Sequence, residues 1–382
     1  MSYETLNLFL HILVFFMGAG IGSFLNVVIY RLPLGMSVNK PVRSFCPSCK
    51  KQIPFYRNIP LFSWLALRGK CADCGSPISV RYFLVELLVG VLFYAIFLSF
   101  AGPWNQISQW GPIVLAYWVF FALLVSGTFI DLEHFILPHE ITIGGAVTGV
   151  LFAFWAPAIV GQEGHQMGVL VSFLSAFLGL GLLWSVVELG KMMFGRLNLK
   201  FDSAEKFSIF EPNADDPPVL RCQGDDLSWQ DIFTRDSDRL IITCSKLQVE
   251  ERSWSNVIAE VKMETITVKS DPKAKTGDSI PLADVKRIDG ECSHITIPRE
   301  AMGFGDVLFI AMIGAFTGWK GVLFTVFAAS IIGTIFAVFP RLIGKQDWAS
   351  RIPFGPYLAA GAGLFVFWGP QWIDWYLNRF RL

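Results

Sequence analysis

Long apolar segments alternate with polar loops along most of this chain. Runs of about 20 apolar residues are long enough to cross the ~30 Å hydrocarbon core of a bilayer. The pattern therefore predicts a polytopic α-helical membrane protein with about eight transmembrane helices, near 6–29, 82–101, 112–130, 141–160, 168–189, 303–318, 320–340 and 354–376.

Two polar stretches interrupt the apolar pattern. One holds four cysteines, and the other is charged and contains runs of β-branched residues at 239–244 and 257–268 that are typical of strands. We therefore expect five parts: a first transmembrane helix (1–30), a cytosolic four-cysteine loop domain (31–81), transmembrane helices two to five (82–195), a mainly β cytosolic insertion (196–300), and transmembrane helices six to eight (301–382).

The distribution of basic residues predicts the orientation. The loop after the first span holds nine Lys and Arg residues, and the loop before the last span holds Arg341, Lys345 and Arg351, whereas 102–111 and 161–167 hold none. Because basic loops stay in the cytosol, both of these loops should be cytosolic.

Composition supports a membrane protein and excludes some partners. Of 382 residues, 53% are hydrophobic and only 16% are charged, against about 25% charged in a typical soluble domain. The formal net charge of +0 argues against nucleic acid as a partner. The first 30 residues contain no Lys or Arg, which favours a retained membrane helix over a secretory signal.

Asp131 and Asp306 are the main candidates for catalysis. Each lies at the edge of a predicted span near the cytosolic face, where a carboxylate is costly and is a functional candidate by default. If their helices pack together, the two carboxyls would titrate as a unit and share a proton, as in aspartic proteases. Taken singly, each Asp could also be a solvated helix-end charge.

The cysteines of the first loop form two pairs. Their spacing is Cys-x2-Cys-x21-Cys-x2-Cys, at Cys46, Cys49, Cys71 and Cys74. Four thiolates fit a closed tetrahedral zinc site, which points to structure rather than catalysis, although a redox dithiol remains an alternative. Cys222, Cys244 and Cys292 show no ligand spacing and are expected to be ordinary thiols.

Other polar residues carry weaker signals. Glu86 is either a site residue facing the bundle or a helix-end charge with a basic neighbour. Asn26 and Arg31 are expected to be interhelical and interfacial anchors. His134 and His139 flank the Asp131 segment without a carboxylate at ligand spacing, so they are weak evidence for metal.

These blocks together resemble the type IV prepilin peptidase family. The resemblance starts at Gly22-Ser23-Phe24-Leu25-Asn26, runs through both cysteine pairs, and resumes at Asp131, Leu137-Pro138 and Gly303-Phe304-Gly305-Asp306. It implies a multi-pass aspartic protease of the bacterial inner membrane with a cytosolic catalytic side. Asp131 and Asp306 match the catalytic pair, and the substrates would be helices of prepilins or pseudopilins in a pilus or secretion system.

The resemblance also implies a second activity. The four-cysteine loop is similar to the zinc-binding part of members that methylate the new N-terminus with S-adenosylmethionine, but no glycine-rich cofactor loop is evident. The family usually has Asp where this chain has His139, and Lys where it has Leu308. The alternatives are a peptidase without methyltransferase activity, a non-catalytic scaffold for a secretion system, and a transporter that uses the acids as a proton relay.

Overall fold

The computed structural model describes most of the chain. The described residues are 3–194, 196–211, 217–222, 224–233, 238–270, 277–282, 285, 287–298, 303–342 and 352–379. The chain divides into two compact units: Met1–Trp184 with Gly303–Leu382, and Ser185–Met302. Lys345 and Arg351 of the predicted cytosolic loop lie outside the described residues.

The first unit is helical. Its helices are α1 (Tyr3–Arg31), the short α2 (Phe62–Ala66), α3 (Val80–Phe100), α4 (Ile107–His134), α5 (His139–Trp155), most of α6 (His165–Phe194), and, after the insertion, the long α8 (Phe304–Leu342) and α9 (Gly355–Arg379).

Five helices of the described chain are long and apolar enough to span a membrane: those within Leu8–Leu34, Val80–Phe100, Trp104–His134, His165–Met192 and Phe304–Phe336. The predicted count of eight is not confirmed, because the spans predicted near 141–160 and 354–376 are not among these five helices. With 17 residues, α5 is shorter than a typical spanning helix. The two spans predicted at 303–318 and 320–340 meet within α8 at Gly318, whose φ of 72° and ψ of 179° are not helical and divide α8 into two helices.

Glycines allow close packing between helices. A Cβ at Gly18 would lie 2.7 Å from Phe93 Cβ, and one at Gly22 would lie 2.8 Å from Glu86 Cα, so α1 and α3 touch along this pair. Gly149 of α5 meets α8 in the same way, because its Cβ would lie 2.8 Å from Ala315 Cβ. Small residues are the usual means of close approach between membrane helices.

The second unit is mainly β, as predicted. Its described strands are β1 (Arg196–Phe210), β2 (Val219–Cys222), β3 (Asp225–Ser228), β4 (Leu240–Val249), β5 (Arg252–Val261), β6 (Thr265–Lys269), β7 (Asp278–Pro281) and β8 (Arg287–Pro298), with a short α7 (Trp229–Ile232). They form one antiparallel sheet in the order β3-β2-β1-β8-β4-β5-β6-β7.

The sheet has its own hydrophobic core. In β4 every second side chain from Leu240 is buried over the first half of the strand, and Phe207, Trp229 and Ile295 pack into the same cluster. The apolar run predicted at 257–268 is two strands rather than one, because the chain turns between Val261 and Thr265. Burial raises the pKa of the Cys244 thiol to about 12, which keeps it protonated as an ordinary core thiol.

Candidate active site and metal centre

Asp131 lies on the last turn of α4. The helix ends at His134, where Phe135 adopts a left-handed conformation (φ 55°) and donates its backbone N–H to the Asp131 carbonyl at 2.9 Å. Pro138 then fixes the backbone at the N-cap of α5. Only 5% of Asp131 is exposed, so its carboxyl group faces the protein interior.

Asp306 lies on the first turn of α8. Its backbone N–H donates to the Gly303 carbonyl at 3.2 Å, and 9% of the residue is exposed. A carboxylate is stabilised in the first turn of a helix because the unpaired N–H groups there give a partial positive charge. The Asp306 Oδ1 atom is buried and has no hydrogen-bond partner among the described residues.

Glycines bring these two helix ends together. A Cβ at Gly305 would lie 3.0 Å from Leu137 Cβ, and a Cβ at Gly127 would lie 2.8 Å from Phe309 Cε2. The start of α8 therefore packs directly against the end of α4 and the segment that follows it. Asp131 and Asp306, 175 positions apart in sequence, interact electrostatically across this contact.

A third helix start completes the pair. The backbone N–H of Gly355, at the beginning of α9, donates to Asp131 Oδ2 at 2.9 Å. A Cβ on Gly355 would lie 2.6 Å from the same oxygen, so the close approach requires glycine. Sequence reasoning missed this residue, because a backbone donor has no side-chain signature. The sequence shows only a glycine at the start of an apolar helix, which does not by itself indicate a hydrogen bond to Asp131.

The other predicted polar residues lie away from the carboxyl pair. Glu86 accepts a hydrogen bond from the Leu61 N–H at 2.7 Å, and Asn26 donates from Nδ2 to the Tyr82 carbonyl at 3.0 Å. Arg31 donates to four loop carbonyls, of which those of Val38 and Pro41 are 2.9 Å away. These residues anchor the cysteine loop to α1 and α3.

The positions that depart from the family pattern are also placed. His139 is the first residue of α5 and is exposed, and Leu308 is half-buried in α8. An ion pair between Arg81 and Glu133 joins the start of α3 to the end of α4, two residues beyond Asp131. This pair connects the cysteine-loop side of the protein to the carboxyl pair.

The four loop cysteines form a compact cluster. The Sγ atoms of Cys46, Cys49, Cys71 and Cys74 all lie within 4.8 Å of one another, and those of Cys46 and Cys74 are 3.9 Å apart. Zinc–sulfur bonds of about 2.3 Å in a tetrahedron place sulfur atoms nearly 4 Å apart. The donor set and its spacing therefore fit a structural zinc ion.

The two cysteine pairs have matching local structures. Cys46 N–H donates to the Lys51 carbonyl at 3.0 Å, and Cys71 N–H donates to the Ser76 carbonyl at 2.9 Å. The residue four positions after each of these cysteines, Lys50 or Gly75, has a positive φ and donates its N–H back to that cysteine's carbonyl. Two equivalent turns thus present the thiols to one centre.

Backbone donors also affect these thiols. The N–H of Cys49 lowers the pKa of the Cys46 thiol to about 6, against the effect of burial. Although the N–H of Lys51 favours its thiolate, burial and the neighbouring thiols raise the pKa of Cys49 to about 11. Four thiols this close ionise together only when a cation is present to offset their repulsion.

An apolar groove adjoins the carboxyl pair. It has a volume of about 540 Å³ and is lined by α3, α4 and α9. Thr128, one turn before Asp131, and Pro356, next to Gly355, lie at one end, and Phe367 and Trp368 lie further along α9. The small residues Ala359, Ala360 and Gly363 line its α9 side.

These features define a class of protein: a polytopic membrane protein with a buried pair of aspartates and a separate four-cysteine centre. Residues 16–100 match the bacterial peptidase A24 N-terminal domain, and residues 118–197 and 292–338 match the type IV leader peptidase family. The chain belongs to the type IV leader peptidase family.

Curated relatives agree with this assignment. The chain is 26% identical to a prepilin leader peptidase/N-methyltransferase of Aeromonas hydrophila, with 96% of this chain and 94% of the relative covered. A relative with the same name in Dichelobacter nodosus is 34% identical, over 48% of this chain and 68% of the relative. Another in Myxococcus xanthus is 45% identical, over 43% of this chain and 46% of the relative. No solved structure gives a significant match.

Proposed function

We propose that this protein is a membrane aspartic endopeptidase that removes the leader from type IV prepilins or pseudopilins and then methylates the new N-terminus. The observation that carries the peptidase assignment is the meeting of Asp131 and Asp306 at two buried helix ends that share one packing contact. Family membership and the names of the relatives support the substrate class and the second activity.

In the proposed reaction, the two carboxyl groups hold one proton between them. The ionised carboxylate removes a proton from a water molecule, whose oxygen attacks the scissile carbonyl carbon. The protonated carboxyl donates a hydrogen bond to the carbonyl oxygen, and a proton then passes to the leaving amine as the C–N bond breaks. Gly355 N–H holds one Asp131 oxygen in place. Asp306 Oδ1, which has no hydrogen-bond partner in the part of the chain that the structure describes, would accept from water or hold the shared proton.

The apolar groove supports a helical substrate. An apolar helix that begins just after the scissile bond could lie along α9 with its first residues beside Asp131. Ala359, Ala360 and Gly363 allow the backbone of such a helix to approach closely. The leader would then extend beyond the end of the groove, past Thr128 and Pro356.

We further propose that the carboxyl pair lies at the cytosolic face of a bacterial inner membrane. The loop 31–81 supports this orientation, because it holds nine Lys and Arg residues and basic loops stay in the cytosol. Arg81, at the end of this loop, pairs with Glu133 at the end of α4, so the end of α4 lies on the same side of the membrane as the loop. A basic leader would then remain in the cytosol while the apolar helix of the substrate remains in the bilayer.

Zinc is the proposed metal of the four-cysteine cluster. Cys46, Cys49, Cys71 and Cys74 would hold it, and the ion would supply folding free energy to a loop that has little hydrophobic core. S-adenosylmethionine is the proposed methyl donor, because the relatives are named N-methyltransferases.

The test is intact mass spectrometry of a type IV prepilin co-expressed with this protein. The wild type should remove the leader and add about 14 Da, the net mass of one N-methylation, to the mature chain. Asp131→Asn and Asp306→Asn should each leave the leader in place. If both variants still cleave, the aspartates are not catalytic, and if no version cleaves, a scaffold role is favoured.

A further inference from the structure

The loop between α1 and α3 contains a short uncharged run. Residues 58–67 carry no charged side chain, are bounded by Arg57 and Arg68, and include the helix α2. They are too few to span a bilayer, and a run of roughly 10–14 apolar residues forms either a buried core helix or a re-entrant or interfacial membrane segment. None of them supplies a thiol to the metal cluster or belongs to the carboxyl pair.

The apolar side chains of this run are exposed rather than packed in a core. Ile59 is 49% exposed, Phe62 57% and Leu65 55%. A buried core helix would cover these side chains, so the membrane segment fits the run better. In water the same side chains would form an unfavourable apolar patch.

The run lies beside the interior of two spanning helices. The Leu61 N–H donates to Glu86 Oε2 at 2.7 Å, and Glu86 is about 9 Å along the axis of α3 from its first residue, Val80. A Cβ on Gly22 would lie 2.8 Å from Glu86 Cα, and Gly22 is about 13 Å along α1 from its last residue, Arg31. Leu61 is therefore level with the apolar parts of α1 and α3 rather than beyond their ends.

The exposed side of the run also continues the outer surface of α1. The ring of Phe62 stacks on the ring of Phe16, with centroids 5.8 Å apart and 20° between the planes. Phe16 is 40% exposed and lies within the apolar span Leu8–Leu34. Because lipid surrounds a spanning helix, an exposed ring at this position faces acyl chains. Phe62 shares that environment.

The backbone of the run meets the requirement that hydrocarbon imposes. Unpaired N–H groups are costly there, so they must find partners within the protein. The Ile59 N–H donates to Ser63 Oγ at 2.9 Å, and the Ser63 N–H donates to the Ile59 carbonyl at 3.0 Å. Leu61 has a φ of 68°, which is rare for leucine, and the Glu86 carboxylate holds this turn through the Leu61 N–H.

We propose that residues 58–67, which we call the re-entrant segment, insert into the cytosolic leaflet and contact lipid acyl chains through Ile59, Phe62 and Leu65. Arg57 and Arg68 then lie at the level of the headgroups, where Arg side chains flank apolar membrane segments. Part of the loop 31–81 thus belongs to the bilayer, while its basic residues stay at the surface. The proposal uses the orientation proposed above but depends on neither enzymatic activity.

The test is electron paramagnetic resonance of a nitroxide at position 65 of the full, zinc-loaded chain in lipid nanodiscs. A p-acetylphenylalanine in place of Leu65 carries the label, so the cysteines stay unmodified. Molecular oxygen concentrates in hydrocarbon, whereas a nickel chelate stays in water. The ratio of oxygen to nickel collisions should be several-fold higher at position 65 than at Val42. Val42 is the matched control position, because it is 93% exposed and lies between Lys40 and Arg43 of the same loop.

The collision data distinguish lipid, water and protein as the neighbour of the re-entrant segment. Frequent oxygen and rare nickel collisions at position 65 support insertion, and a label in place of Ile59 should give the same result. Nickel collisions as frequent as at position 42 would place the segment in water and overturn the proposal. Rare collisions with both reagents would show that protein covers the segment, which also overturns it. Zinc content and thermal unfolding of each labelled chain identify a label that disturbs folding.

Discussion

The backbone N–H of Gly355 lies 2.9 Å from Oδ2 of Asp131, across 224 positions of sequence. The contact places the start of α9 at the carboxyl pair, alongside the end of α4 and the start of α8. A helix N-terminus stabilises negative charge, so Asp131 gains a partner that does not titrate. Three helix ends, rather than two, therefore define the proposed catalytic centre.

Gly355→Ala should lower the rate of leader removal by about tenfold or more, because a Cβ 2.6 Å from Asp131 Oδ2 must displace the carboxylate. Cleavage of a prepilin measured by gel shift or mass spectrometry reports the effect. Gly144→Ala is the control, since nothing lies within 4 Å of a Cβ there. Equal rates for the two variants would show that this contact does not position Asp131.

Gly363→Leu should raise the KM for a full-length prepilin, because the added side chain enters the apolar groove where we place the substrate helix. Gly181→Leu makes the same change on α6 at a position with open space around it, and it should leave KM unchanged. Steady-state kinetics in detergent or vesicles compare the two. A rise in KM for both would point to a general effect of the substitution.

The purified protein should contain about one zinc ion per chain by elemental analysis. Cys46→Ser combined with Cys71→Ser should remove the metal and lower the thermal unfolding midpoint. Cys222 lies in the β insertion, so Cys222→Ser should neither remove the metal nor lower the unfolding midpoint. Full stability of a zinc-free wild-type sample would contradict a structural role for the metal.

The β insertion should lose stability in acid partly through Glu260. Burial raises the pKa of this carboxyl, but the Lys269 ammonium and the Arg239 and Lys262 charges outweigh burial and hold the pKa below its usual 4.5. Because the folded-state pKa is lowered, the stabilisation is present above pH 4.5 and is lost as pH falls through the folded-state value.

Hydrogen exchange of amides in β5 measures this effect. Glu260→Gln should speed exchange at pH 7, and its difference from the wild type should shrink as the pH falls below 4.5. Asp289→Asn, in an exposed pair with Arg287, is the control and should change exchange little. A constant difference at every pH would mean that Glu260 acts through packing rather than charge.

Sequence predicted the apolar helices because hydrophobic runs mark membrane spans directly. It did not predict the length of α5, since span boundaries depend on packing, whereas the division predicted between 318 and 320 coincides with the non-helical backbone at Gly318. The strands within 239–268 followed from their β-branched residues, but the turn between β5 and β6 did not.

For the site, sequence provided the side chains but not their surroundings. Asp131, Asp306 and the four cysteines stood out because their chemistry is unusual in those places. Gly355 could not be found in this way, because its contact with Asp131 depends on where distant backbone segments meet. Patterns among neighbouring residues carry no information about contacts between segments that are distant in the sequence.

The order of the elements along the chain has a consequence for biosynthesis. Asp131 is translated early, whereas Asp306 and Gly355 follow only after the whole Ser185–Met302 unit has been synthesised. A nascent chain that has already inserted α4 therefore lacks both the second carboxyl and the backbone donor. In the proposed mechanism, such a chain has no peptidase activity until α8 and α9 are in place.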